Sequence, residues 1–342
     1  MNKTNIKDMD YNGLKAAICG LDCPAYRADQ IFDWLYKKKA VCFKDMSNLL
    51  EKEISLLDEA YEIISLSLVR KFKSKDSTEK YVFLTKDKHL IETVVIYHGE
   101  RVTICISTQI GCRFNCKFCA SGTLKFVRNL STAEIIDQIV LTSAKNISFT
   151  NYVFMGIGEP LDNFENLRKS IEIIVSKKAM DSSPKRITIS TCGFIPGIKK
   201  LINSDIKANL SLSLHAVNDK LRSELMPVNK SYPIGELIKT LKEYAHKKKQ
   251  KITVEYILID KKNDSSKDAS ELAKIAKSLK AKINIINLSK IESFPYSAPS
   301  EKNIKSFTNI ILKKGINVTI RKSKGQDIKA ACGQLAGQLT KM

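Results

Sequence analysis

The chain has 342 residues, nine cysteines, and 57 Lys and Arg against 36 Asp and Glu, a formal charge of +21. That length exceeds one ordinary core and allows a large α/β domain with a smaller appendage. No apolar run reaches membrane-spanning length and no basic start leads into an apolar stretch, which argues against secreted and membrane classes and predicts a cytoplasmic protein without membrane association.

In that compartment cysteines stay reduced, so they read as core residues, metal ligands or redox groups before disulfides. The positive surplus favours a polyanionic partner, with nucleic acid the natural candidate, although most surface lysines are simply solvated.

Along the chain, YRADQIFDWLYKKKA (26–40) carries Ile31, Trp34 and Leu35 at helical spacing, and MSNLLEKEISLLDEA (46–60) forms a second helical stretch. The runs KYVFLT and HLIETVVIY, rich in β-branched and aromatic residues, read as strands. Residues 1–97 are therefore predicted as a small, mainly helical accessory domain. From about residue 100 the strands VTICIS, NYVFMG, RITIST, NLSLSLH, ITVEYILI, INIINLS and NVTIRK alternate with amphipathic helices. The first of these helices opens on a capping box, Ser131 with Glu134. The alternation predicts an α/β fold, a partial (β/α)6-type barrel over 98–322, with a separate tail at 323–342. In such barrels chemistry collects at the C-terminal ends of the strands.

Directly after VTICIS, the loop TQIGCRFNCKFCASG spaces Cys112, Cys116 and Cys119 as C-x3-C-x2-C. A structural zinc site wants a fourth Cys or His close by, and a ferredoxin-type cluster uses four thiolates. Cys105 stands seven residues ahead, back in the strand. Three thiolates on a four-iron cluster leave one iron open to a substrate or cofactor. Three buried core cysteines are the bland alternative, disfavoured by the interleaved Arg113, Asn115 and Lys117. After the second strand comes VFMGIGEPL, which taken alone is a turn using glycine for permissive dihedrals.

The cysteine spacing after the first strand, with G-x-G-E-P after the second, resembles the radical S-adenosylmethionine superfamily. LIETVVIY, STQIGCRFNCKFCASG, SLSLHAVND with LMPVNK, and IRKSKGQDIKAACGQLAG narrow the resemblance. Over residues 25–337 the chain looks like the bacterial dual-specificity ribosomal RNA and transfer RNA adenine-C2 methyltransferases. This implies methylation at C2 of an adenosine in the peptidyl-transferase region of 23S rRNA and of the adenosine 3′ to the anticodon in a subset of tRNAs. It implies one [4Fe-4S] cluster on Cys112, Cys116 and Cys119, two molecules of S-adenosylmethionine per turnover, an electron donor such as flavodoxin, and a monomer. The accessory domain would face RNA, with Arg27, Lys37, Lys38 and Lys39 as phosphate contacts.

Gly158 and Glu159 correspond to contacts with the methionine end of S-adenosylmethionine, and Ser190, Ser213, Leu214 and His215 to further cofactor contacts. Glu292 stands where the family has an Asn in that role; an amide donates and accepts, while a carboxylate only accepts. Cys332 corresponds to the cysteine methylated during turnover, Cys105 to its partner in a transient disulfide, and Glu92 to the general base. Carbon 2 of adenine carries no acidic proton, so the implied scheme runs through a radical and a covalent protein–RNA adduct. Relatives that methylate adenine C8 share the cysteine trio and AACGQL, and MGIGEPL favours the C2 reading. A zinc-bearing RNA-binding protein without catalysis is the competing class. Cys19, Cys23, Cys42 and Cys192 match nothing in the family pattern and read as structural.

Overall fold

The computed structural model describes residues 3–143, 147–289, 295–321 and 323–336, so Glu292 lies outside the described residues. At the N-terminus, α1 (Tyr11–Gly20), α2 (Arg27–Tyr36) and α3 (Glu51–Ala60) pack together, and a short parallel ladder joins β1 (Thr4–Asn5) to β2 (Tyr61–Glu62). Asp10 caps α1 by accepting the Gly13 N–H at 2.7 Å, satisfying a donor the first turn leaves free. α2 buries Ile31, Phe32, Leu35 and Tyr36. Trp34 stays half-buried, donating Nε1–H to Asn48 Oδ1 at 2.6 Å under the Lys38 ammonium.

β3 (Leu66–Lys73), β4 (Glu79–Thr85) and β5 (Leu90–His98) form an antiparallel meander, and β5 pairs antiparallel with β6 (Arg101–Cys105). β7 (Gln109–Ile110) and β8 (Arg128–Asn129) make a small ladder around the cysteine loop, with α4 (Ala120–Thr123) inside it. Beyond β6 the main sheet is parallel: β9 (Asn151–Phe154), β10 (Ile187–Thr191), β11 (Asn209–Ser213), β12 (Ile252–Leu258), β13 (Lys282–Asn287) and β14 (Val318–Arg321) follow in chain order. The connecting helices α5 (Thr132–Ser143), α6 (Phe164–Val175), α7 (Ile195–Asn203), α8 (Asp219–Leu225), α9 (Ile234–Lys248), α10 (Ser266–Ser278) and α11 (Glu301–Lys313) complete the alternation. No described helix is long and apolar enough to cross a membrane.

Residues 66–98, expected inside a mainly helical accessory domain, extend the barrel sheet instead. Alone, a three-strand meander leaves both faces open; pairing β5 to β6 joins it to the barrel sheet, and α5 packs over β3 and β4. The expected boundary after residue 97 therefore falls at the end of a strand hydrogen-bonded to the barrel.

Parallel strands are usually apolar on both faces. Here β10 buries Ile187 and Ile189 while Thr188 and Ser190 point the other way, and β11 alternates Leu210 and Leu212 with Ser211 and Ser213. One face packs on the helices; the other lines a polar lumen. α5 departs from simple amphipathicity, since eleven of its twelve residues are buried, which requires cover on both sides. The outer cover comes from the N-terminus, where Lys7 Nζ meets Asp137 Oδ1 at 2.6 Å with both side chains fully enclosed. The predicted capping box is present: Ser131 N–H donates to Glu134 Oε2 at 2.9 Å, and Glu134 N–H to Ser131 Oγ at 3.3 Å.

Candidate active site

The end of β6 is pinned before the cysteine loop departs. Gln138 of α5 accepts the Ser107 N–H at 2.8 Å, donates to the Ser107 carbonyl at 2.9 Å, and accepts the Thr93 hydroxyl at 2.8 Å. Inside the loop, Cys119 N–H donates to the Cys116 carbonyl at 3.1 Å, and Lys117 N–H to the Leu225 carbonyl at the end of α8 at 2.9 Å. Arg113 Nε–H pairs with Asp162 Oδ2 at 2.9 Å, and the guanidinium lies over Phe126. The interleaved polar residues thus brace the loop. Cys116 and Cys119 pack against an apolar wall of Phe118, Leu225, Met226 and Val228.

All nine cysteines are free thiols, and burial pushes Cys112 up to about 12 and Cys116 and Cys119 in the same direction. Loading a metal group there releases protons. Among the described residues no three His, Cys, Asp or Glu side chains converge as closely as a single ion requires. A cubane is a broader body that takes separated thiolates, one per iron. Three free sulfurs on a braced loop beside an apolar wall fit a [4Fe-4S] cluster with one iron left without a protein ligand.

The expected cofactor residues lie around the C-terminal ends of the next strands. Gly158 sits at φ +101°, where a Cβ would come within 2.5 Å of Gln109 Cβ, so only glycine serves. Glu159 follows, its N–H donating to Gln109 Oε1 at 2.9 Å and its carboxyl accepting from Leu161 N–H at 3.2 Å and Cys192 N–H at 2.8 Å. Burial pushes Glu159 up to about 7, against these hydrogen bonds and one from the Cys192 thiol. Cys192, expected as a bystander, is therefore a neighbour of this carboxyl. Ser190 and Ser213 are half-buried at the ends of β10 and β11.

Leu214 is completely buried, with its N–H on the Glu255 carbonyl at 3.1 Å and its own carbonyl on Arg222. Its side chain belongs to the core, so any cofactor contact there falls to the backbone. His215 is also buried; Nδ1 accepts the Ile257 N–H at 3.0 Å, and the ring meets Phe118 edge-on at 4.7 Å. Burial, helped by Arg222, lowers it to about 3, so the ring is neutral with its proton on Nε2. Arg222, unanticipated from sequence, ties these ends together. Fully enclosed, it donates to the carbonyls of Cys192 at 2.7 Å, Leu214 at 3.1 Å and Ser213 at 3.2 Å, and to Asn229 Oδ1 at 2.9 Å.

The tail closes the site. Lys324 Nζ donates to the Tyr97 carbonyl at 2.8 Å, bridging from the β14 side to β5. The β3–β4 turn grips the next residues: Asp76 accepts Gly325 N–H at 2.9 Å, and Asp327 accepts Ser74 Oγ–H at 2.6 Å. On the other flank, Ala120 N–H and Ser121 Oγ–H donate to the carbonyls of Gly333 and Leu335, each at 2.6 Å. Cys332 is exposed on this segment. It lines a cavity of about 840 Å³ together with Cys105, Cys119, Met155 and Arg321.

Cys105 is buried, which pushes it up to about 12, with Arg321 pulling the other way. Glu92 is 1% exposed; Oε1 pairs with Lys80 Nζ at 2.9 Å and Oε2 accepts the Ala336 N–H at 2.8 Å. Lys80 Nζ also donates to the Lys329 carbonyl at 3.4 Å. Glu92 and Lys80 thus hold the segment on both sides of Cys332. Of the three residues expected as catalytic, Cys105 and Cys332 share the cavity, while Glu92, outside its lining, reaches the Cys332 segment through Ala336 and is paired with Lys80, which nothing in the sequence singles out.

Residues 106–289 match the radical SAM superfamily, and residues 4–63 match the ribosomal RNA large subunit methyltransferase N-terminal domain. A relative from Akkermansia muciniphila, named "probable dual-specificity RNA methyltransferase RlmN", is 44% identical over 321 residues, spanning 91% of this chain and 89% of its own length. A protein of the same name from Dictyoglomus turgidum is 42% identical over 335 residues, 97% of this chain and 96% of its own. The crystal structure of a radical SAM methyltransferase from Sphaerobacter thermophilus superposes with a TM-score of 0.94 at 37% identity, covering 98% of this chain and all of that one.

Proposed function

Because the chain belongs to the dual-specificity RNA methyltransferases of the radical SAM superfamily, we propose that it methylates both ribosomal and transfer RNA at C2 of adenine. The targets in this reading are an adenosine in the peptidyl-transferase region of 23S rRNA and the adenosine 3′ to the anticodon. The observation that carries it is the shared cavity of Cys105, Cys119 and Cys332, with Glu92 fastened to the same segment.

Cys112, Cys116 and Cys119 hold the cluster, while Gly158, Glu159, Ser190 and the backbone of 213–215 receive S-adenosylmethionine. When bound, these groups supply the methyl and the radical that activates it. Cys332 is the nucleophile that takes the methyl and carries it to C2 of a base extracted from its stack. Glu92 removes the C2 proton from the resulting adduct. The Cys105 thiolate attacks the Cys332 sulfur and breaks its bond to carbon; the released methylene takes a proton to become the C2 methyl, freeing the methylated base and leaving a Cys105–Cys332 disulfide. In this reading residues 1–65 form the RNA-facing unit, 66–322 the barrel with the meander that extends its sheet, and 323–342 the catalytic tail. The protein works as a cytoplasmic monomer supplied with electrons by a flavodoxin-like donor.

The test is anaerobic incubation of iron-loaded protein with S-adenosylmethionine carrying an isotopically labelled methyl, followed by mass spectrometry of the Cys332 peptide and of the RNA nucleosides. Label on Cys332 and then at adenine C2 is the expected result. Label at C8 would assign the chain to the other activity. An active preparation whose Cys332 never carries label overturns the scheme.

A further inference from the structure

The cavity shared by Cys105 and Cys332 continues below them. It runs down the lumen to the N-terminal rim of the barrel, where exposed Arg101 and Lys282 begin β6 and β13 and Lys185 precedes β10. Among the described residues none of these three cations pairs with a carboxylate. The sole acid among the described lining residues is Glu255, 4% exposed. Its Oε1 accepts from Ser211 Oγ–H at 2.7 Å and Asn284 Nδ2–H at 3.0 Å, while the buried Oε2 has no hydrogen-bond partner. Arg321 on the same wall offsets part of the Glu255 charge, but a buried carboxylate oxygen without a hydrogen bond is costly and still calls for a donor. The wall therefore suits a molecule with one ammonium at Glu255 and anionic groups toward the rim, and the volume admits one of tripeptide size.

Cys105 borders this cavity, level with the rim of β11. Strand register pairs it with Val153, Val153 with Thr188, and Thr188 with Asn209, the first residue of β11 at the rim. Cys332 arrives on the tail segment laid against the cysteine loop. Both cysteines line this cavity, so a bond between them lies against its lumen.

We propose that the lower lumen is the binding site for the reductant that reopens the Cys105–Cys332 disulfide, an anionic low-molecular-weight thiol bearing one ammonium and two carboxylates. This rests on the proposed turnover, which ends in that disulfide. The thiolate of the first molecule attacks Cys105 Sγ; the Cys105–Cys332 bond breaks, and Cys332 leaves as a thiolate near the Arg321 guanidinium, ready for the next methyl. A second thiolate attacks the small-molecule sulfur of the mixed disulfide, Cys105 leaves and takes a proton from solvent, and the oxidised dimer departs. Two thiols are oxidised and one protein disulfide is reduced. Glu255 Oε2 faces the ammonium, and Lys282 and Arg101 face the carboxylates.

The experiment uses the cluster-loaded full chain, brought to the disulfide by anaerobic turnover on RNA and, separately, by diamide. Reopening is followed by alkylation and peptide mass spectrometry with glutathione, glutathione diethyl ester and dithiothreitol. Glutathione is expected to act about tenfold faster than the ester, the lower bound of what a charge-focusing cleft confers on a ligand of opposite net sign. Lys282→Glu with Arg101→Glu is expected to erase the preference. Both positions are exposed, and the rate with uncharged dithiothreitol normalises each variant. Equal rates for glutathione and its ester, or a preference that survives the charge reversal, overturns the inference and leaves the turnover chemistry standing. If turnover yields no Cys105–Cys332 bond although diamide does, both fall.

Discussion

Glu159 gives a quantitative test of the cofactor platform. Its carboxyl is 4% exposed, and burial raises it from 4.5 up to about 7. A folded-state value above the unfolded one means that the group's contribution to stability is fully present below about pH 4.5 and is lost as pH rises through about 7. At 1.36 kcal/mol per unit, that loss is about 3 kcal/mol. Glu159→Gln abolishes the titration but leaves one acceptor oxygen for the N–H groups of Leu161 and Cys192, a cost of about 1–3 kcal/mol. The variant should therefore be the less stable protein near pH 5 and equal or exceed the parent near pH 8.

Binding should show the opposite preference. If the carboxylate holds the ammonium of S-adenosylmethionine, roughly one site in ten is competent at about pH 6 and about three in four at about pH 7.5, and the ammonium itself titrates near 8. Affinity should peak between those limits and fall about fivefold to tenfold by about pH 6, and Glu159→Gln should bind weakly throughout. Urea denaturation across this range and equilibrium dialysis of labelled S-adenosylmethionine provide the measurements. A variant-to-parent stability difference that does not move with pH, or an affinity flat across that range, refutes the reasoning.

Lys80→Met removes the ammonium that pairs with Glu92 and reaches the Lys329 carbonyl. Cys332 should still take its methyl while the covalent RNA adduct accumulates on denaturing gels; an unchanged release rate would remove Lys80 from the site. Cys116→Ala should lose most bound iron and sulfide by elemental analysis, whereas Cys105→Ala should keep both and trap the adduct. Lys7→Met, which strands Asp137 in the core, should lower the unfolding free energy by about 3–5 kcal/mol, and Lys7→Met with Asp137→Leu should recover most of it in urea titrations.

Features built from near neighbours were readable in advance. Ser131 and Glu134 are three residues apart, the cysteines span one loop, and RITIST and NLSLSLH are short apolar runs that read as strands, though the polar face they turn to the lumen was not foreseen. What depends on distant partners was not. The propensity of KYVFLT for a strand does not say which sheet it joins, and 66–98 were assigned away from the barrel they extend. A charged residue among other charges reads alike whether its end reaches water or a buried partner, so Lys80 in STEKY and Arg222 in KLRSE gave no warning of Glu92 or of three strand-end carbonyls. The outer face of α5 is covered by Lys7 and its neighbours, a contact its periodicity does not encode. Leu214 could be aligned to a cofactor contact, but only coordinates show its side chain pointing into the core.

The tail's position between the β3–β4 turn and the cysteine loop also sets an order of assembly. A translating ribosome completes the cluster ligands and Cys105 long before it makes Cys332, and the grip of Asp76, Lys80 and Glu92 on the tail can close only after that. Until then the chain lacks Cys332, the methyl carrier of the proposed scheme, and the tail carbonyls to which Ala120 and Ser121 hydrogen-bond beside the cysteine loop. In the proposed scheme the capacity to modify RNA is thus withheld from the growing polypeptide, even while it sits on the ribosome whose RNA is among its proposed substrates.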